Sequence, residues 1–159
     1  ISYDDPDRTL ELVWGSAESA ALKETILEFP EQLDTLVGER GVTLSGGQKQ
    51  RTTLARGFIR DAPVLILDDC FSSVDTETEE HILSRLKSLR DDRTTILVSH
   101  RVSTLRHSDR IIVMDEGSIA ESGTHEELLA LDGLYAELER LQTPGADSDR
   151  SQDMELSPV

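Results

Sequence analysis

Cysteine is almost missing from these 159 residues: Cys70 stands alone, which excludes an internal disulfide framework and suits a reducing compartment. Lysine is scarce as well, with Lys23, Lys49 and Lys87 set against thirteen arginines. Sixteen basic residues face 32 acidic ones, a net charge of −16. That balance argues against a nucleic-acid partner, whose phosphates need basic patches, and against adhesion to an anionic membrane surface. Two explanations for the acidic, lysine-poor composition stay open: a salt-rich cytoplasm, where screening tolerates such surfaces, and an arginine-rich compositional bias. No apolar run approaches the roughly eighteen residues of a membrane-spanning helix, and residues 1–15 have no signal-peptide pattern. Any membrane link is therefore expected from sequence outside this stretch or from a partner. The stretch opens on Ile1 in what reads as mid-domain, so a piece of a longer protein is expected.

A hydrophobic share of 36% is enough for one domain with solvated ends. Thr9 can cap a helix over about 10–29, with Leu10, Val13, Trp14 and Ala17 on one face and Pro30 as its stop. A second helix is expected from Ser45 to about Arg60. VLILDD (64–69) is apolar until it closes on two carboxylates, the habit of a parallel strand buried on both faces. The next helix, about 76–90, opens with Thr76-x-x-Glu79 as a capping box and buries Ile82, Leu83, Leu86 and Leu89. TTILVSH (94–100) and RIIVMDEG (110–117) read as further strands, Thr124-x-x-Glu127 as a helix cap, and 134–141 as a last helix. This order predicts α/β with parallel pairing. Residues 1–60 read as a helical subdomain and 61–141 as the core of the fold. The polar, aperiodic tail 142–159 is expected to be disordered.

Three strings carry chemistry. LSGGQKQR (44–51) opens with Ser45-Gly46-Gly47-Gln48, an S-x-x-Q capping box, and the plainer reading is a good helix start. Two glycines weaken a helix by about 1 kcal/mol each and so call for a reason. Close approach of the backbone to an anion supplies one, since free N–H groups, the macrodipole and a hydroxyl make a phosphate site. In VLILDDCFSSVD (64–75), Asp68 and Asp69 stand where α/β sheets bind ligands, and such carboxylates can hold Mg²⁺ through water or orient an attacking water. The alternative is an acidic strand end leading into a turn. Ser99-His100-Arg101 closes the next strand, where parallel pairing would bring His100 to the same edge.

Together these strings resemble the ATP-binding-cassette ATPases over about residues 1–141. LSGGQ is similar to their signature motif and begins 24 residues before Asp68, as it does before Walker B. The resemblance assigns Mg²⁺ binding to Asp68, catalysis to Asp69 and to His100 as switch histidine, and ATP contacts to Ser45, Gly46, Gly47 and Gln48. SSVD (72–75) resembles the D-loop, whose Asp75 would couple two sites. VGERG (Val37, Gly38, Glu39, Arg40, Gly41) is similar to the exporter loop that touches the intracellular helices of the membrane domain, and residues 109–129 are exporter-like too.

The implied fold is a P-loop-NTPase-like parallel sheet with helices on both faces, incomplete, preceded by a helical signature subdomain. The implied function is ATP-driven export, with ATP and Mg²⁺ as cofactors, a second ATPase domain and a transmembrane domain as partners, and a place on the cytoplasmic face of the plasma (inner) membrane. Two departures qualify this. No G-x-x-x-x-G-K-[ST] occurs, so the stretch alone should bind nucleotide weakly and hydrolyse none, and the sheet should leave an open edge with exposed apolar surface. Asp69 stands where active members usually have glutamate, and the carboxylate is withdrawn by roughly 1.5 Å. A shift of about 1 Å can cost around a hundredfold in rate. That suggests the slow half of a heterodimer whose partner supplies the glutamate. The alternatives are a regulatory ATP-holding subunit with negligible catalysis, a soluble cassette ATPase, and a truncated product without function.

Overall fold

The computed structural model describes residues 1–5, 7–38, 41–60, 62–88 and 93–143. It divides between Ser99 and His100 into two compact units. Glu39 and Arg40 of the VGERG loop, Leu89, and residues 144–159 of the predicted tail lie outside the described residues; Gln142, placed in that tail, instead ends the last helix.

In the first unit, Thr9 caps α1 (Leu10–Ser19) by accepting the Leu12 amide. Val13, Ser16 and Ala17 are buried, whereas Leu10, expected on the same face, is exposed. The single helix expected over 10–29 is two, the second being α2 (Lys23–Leu27). Leu22 N–H donates to the Ala17 carbonyl and Ala21 N–H to that of Glu18, while Ala21 turns to φ 52°. This is a Schellman stop with alanine where glycine is usual, so no glycine betrays it in the sequence. The break buries Ala20 in the core with Leu54 and Phe71 and Leu22 in a separate cluster with Ala17 and Ile26, and Arg51 Nη1 donates to the Ala21 carbonyl at 2.5 Å.

Helix α3 (Gly46–Phe58) starts where the capping box places it. Strand β1 (Val64–Asp68) pairs in parallel with β2 (Thr94–Val98), with Asp68 level with Val98, and α4 (Thr76–Ser88) connects them. Leu67 faces a core of Leu54, Ala55, Phe71, Ile82 and Leu86. The opposite face shows Val64, Ile66, Ile96 and Val98 to solvent, Ile66 at 63% exposure. Burial on both faces, expected for β1, is not found among the described residues of this unit. The open apolar surface is there as expected. The start of α4 also differs: Asp75, not Thr76, is its cap, accepting the Thr78 amide at 2.9 Å.

The second unit corrects the topology. Strand β3 (Ile111–Asp115) does not join a parallel sheet but pairs antiparallel with an unforeseen β4 (Ser118–Gly123). Glu116 and Gly117, at φ 45° and 78°, form the two-residue turn with both φ positive that matches strand twist in a hairpin. After the short α5 (Val102–Leu105) and this hairpin come α6 (His125–Leu131), with the predicted Thr124–Glu127 box, and α7 (Leu134–Gln142). The Glu121 carboxylate accepts the first two amides of α7, from Leu134 at 2.5 Å and Tyr135 at 3.1 Å, and so caps it from another element. Val102, Ile111, Leu128 and Tyr135 form the core, and Tyr135 Oη meets His125 Nδ1 at 2.9 Å.

Candidate functional site

The N-terminus of α3 is built so that some of its polar groups are used and others kept. Ser45 Oγ accepts the Gln48 amide at 3.2 Å and Gln48 Oε1 accepts the Ser45 amide at 2.9 Å. Of the orphan amides at this helix start, only those of Gly46 and Gly47 then lack a partner within the helix. The Ser45 hydroxyl, acceptor in the cap, still has its proton to donate. Two glycine amides and one hydroxyl therefore stand at the positive end of a thirteen-residue helix, with Ser45 and Gly46 exposed.

The second component leaves the C-terminal end of β1. Asp68 and Asp69 are both exposed there, and the Asp69 amide continues the ladder by donating to the Val98 carbonyl at 3.0 Å. Asp69 then bends to φ 44°, a left-handed turn that aspartate tolerates better than most residues. Phe71 and Val74 drive into the core and hold the loop down, which leaves Ser72, Ser73 and Asp75 outside. Backbone and side-chain hydrogen bonds to Thr78 draw the Asp75 carboxyl below the usual aspartate range.

The two components touch. Gly47 lies under the Ser73 carbonyl, where a Cβ would come to 2.8 Å from the oxygen. Gln50 Nε2 donates to Ser72 Oγ at 2.7 Å, and the Ser73 amide donates to Gln50 Oε1 at 2.8 Å. The sequence therefore offered one reason for the glycine pair and the structure adds another, backbone packing at Gly47. Gln50 was missed, although its place one helical turn beyond Gly46 and Gly47 puts it on the same side of α3.

The remaining residues fall elsewhere. His100 belongs to the second unit, and its carbonyl accepts Gln142 Nε2 at 2.7 Å. Leu36, Val37, Gly38, Gly41 and Val42 form a loop pinched by the Val42 amide on the Leu36 carbonyl (2.9 Å), with Leu36 and Val37 exposed. Among the described residues no three His, Cys, Asp or Glu side chains cluster as metal ligands. A lone carboxylate pair still fits Mg²⁺, which keeps much of its water and takes one or two carboxylates plus phosphate oxygens.

Residues 8–72 match the family model described as ABC transporter. The chain is 48% identical over 147 residues to the ATP-dependent lipid A-core flippase of Chromohalobacter salexigens, covering 92% of this chain and 25% of the relative. It is 47% identical over 142 residues to a Bacillus subtilis protein named for multidrug export as an ATP-binding/permease protein, covering 89% and 24%. A bacterial Atm1-family ABC exporter solved with ATP bound superimposes with a TM-score of 0.81 at 42% identity, covering 89% of this chain and 25% of that one. The chain thus spans about a quarter of the length of these relatives.

Proposed function

Because the chain belongs to the ATP-binding-cassette transporter family, we propose that it is the C-terminal half of an exporter's nucleotide-binding domain, coupling ATP binding and hydrolysis to export across a membrane. The observation that carries this reading is the packing of the Ser45–Gly47 helix start against the loop that leaves Asp68 and Asp69. In it, the Ser45 hydroxyl and the Gly46 and Gly47 amides, held by Gln48, bind the γ-phosphate of ATP seated on a second ATPase domain. Asp68 is the residue that would hold Mg²⁺, which supplies charge neutralisation on the phosphates when bound. Asp69 orients the attacking water weakly, His100 is the residue that would contact a γ-phosphate, and Asp75 links the two sites. The Val37–Gly41 loop docks on the membrane domain, and its exposed Leu36 and Val37 suit an apolar contact.

On this reading the domain lies on the cytoplasmic face of the membrane. No described helix is long and apolar enough to cross one; in this reading a separate transmembrane domain does so. The flippase and multidrug-export relatives support a lipid or drug cargo, selected by that domain. The stretch on its own should not turn over ATP. Asp69 favours a second reading beside the first, in which this half is the slow site of a heterodimer or a regulatory ATP-holding subunit.

The deciding experiment is Gly46→Asp in the full-length transporter. A carboxylate placed against the γ-phosphate should abolish hydrolysis at the partner's site. Wild-type turnover in that variant would remove the helix start from the mechanism.

A further inference from the structure

We infer that Gln50 is a positioning residue, tying the helix that faces the partner's nucleotide to the loop that carries this chain's own catalytic carboxylate. The inference rests on the exporter reading above and extends it to a residue outside the SGGQ string. Gln50 spends both ends of its side-chain amide on one loop: Nε2 on Ser72 Oγ at 2.7 Å and Oε1 on the Ser73 amide at 2.8 Å. Ser72 Oγ in turn donates to the Asp69 carbonyl at 3.3 Å. A hydrogen-bonded path therefore runs from α3 through Gln50 and Ser72 to the backbone of Asp69. That residue is held at φ 44°, where a small rotation re-aims its carboxylate.

Gln50 clamps this loop to α3 by two hydrogen bonds. Gly47 is in contact with the Ser73 carbonyl from beneath, which fixes the spacing of helix and loop. Gln50 fixes their register. Ser45 and Gly46 occupy the start of the same helix, so a nucleotide pressing on them displaces α3 as a body, and Gln50 carries that displacement to Asp69. Neither Gln50 nor Ser72 touches the nucleotide in this scheme. Their effect falls on the hydrolytic step and not on ATP affinity.

The test is a double-mutant cycle in the full-length transporter, reading kcat and KM for ATP together with the melting temperature. Gln50→Ala should lower kcat about tenfold with KM unchanged, since misaiming a reacting group costs rate and not binding. Ser72→Ala should lower kcat by less, and the double variant should match Gln50→Ala, because Ser72 acts through the same path. Losses that multiply, or a wild-type kcat for Gln50→Ala, would overturn the inference. If Gln50→Ala does not fold, Ser72→Ala decides, as it removes only an exposed hydroxyl: an unchanged kcat at unchanged melting temperature overturns it. Gly46→Asp, run alongside, separates the levels. An inactive Gly46→Asp with a fully active Gln50→Ala sinks the coupling alone, whereas an active Gly46→Asp sinks the exporter-site reading and this inference with it.

Discussion

Gly47 has no room for a side chain beneath Ser73: a Cβ there would lie 2.8 Å from the Ser73 carbonyl oxygen, a separation real Cβ atoms essentially never show. At Gly46 the same construction meets Ser73 Cβ and Oγ at 3.6 Å, ordinary contact. Two effects compete when either becomes alanine. Alanine favours a helix by about 1 kcal/mol over glycine, while forcing an atom against fixed backbone costs about 1–3 kcal/mol. Packing should prevail at 47 and propensity at 46. Denaturant unfolding should therefore find Gly47→Ala destabilised and Gly46→Ala neutral or slightly stabilised. Equal stabilities would mean that the loop yields easily, and the spacing assigned to Gly47 would fall.

Local signals were legible in the sequence where one residue type has one job. The Ser45–Gln48 and Thr124–Glu127 boxes sit where the spacing puts them, and the apolar runs at 64–68 and 94–98 pair in parallel. Where the signal was displaced, the reading failed. Ala21 does glycine's work at the end of α1, so no punctuation marks the break. Glu116-Gly117 carries a hairpin signal, yet the apolar run before it looks the same in a parallel or an antiparallel strand, and β4 is too polar to announce itself. The Gln50 bridge joins residues 22 and 23 positions apart, which periodicity cannot reach.

Asp75 should make part of the stability of α4 depend on pH. Its folded-state carboxyl titrates below the ordinary value of 3.8, first because the Thr78 backbone N–H bonds to it. A depressed carboxyl contributes stability that is fully present above 3.8 and is lost as pH falls through the lower folded value. Asp75→Asn keeps an acceptor for the Thr78 amide but removes the titration. Acid unfolding followed by circular dichroism should show a shallower slope for Asp75→Asn, with a small loss of stability at neutral pH where the ionised carboxylate contributes. If turnover falls in that variant by more than its small loss of neutral stability explains, the carboxylate acts beyond capping, as its proposed coupling role requires.

Cys70 should be a silent thiol. Burial pushes it up to about 12, helped by the nearby carboxylates of Asp69, Glu79 and Asp68, against 9.0 for an ordinary thiol. The thiolate is the reactive form, so alkylation at pH 8 should run at least a hundredfold slower in the folded protein than in denaturant. The linkage sign follows: the unfolded thiol ionises first, so stability declines as pH rises from about 9 toward 12. Fast labelling of Cys70 in the native protein at pH 8 would show that the turn after Asp69 opens readily, and the loop could not then hold a carboxylate in place.

Asp69→Glu tests the slow-site reading most directly. The extra methylene advances the carboxylate by roughly 1.5 Å toward the water it must orient. Since about 1 Å can be worth around a hundredfold in rate, turnover by the full-length transporter should rise at least tenfold at saturating ATP. The backbone at φ 44° opposes the change, because glutamate is less at home there than aspartate. That cost should be at most about 1–2 kcal/mol, and the Asp69 amide, pinned to the Val98 carbonyl, holds the turn whatever the side chain. Rate and stability are thus expected to move in opposite directions. A faster but slightly less stable variant supports a catalytic site limited by carboxylate reach. Unchanged turnover with the same small loss of stability would sink that idea and leave Asp69 as a residue chosen for its turn, in a subunit that holds ATP without consuming it.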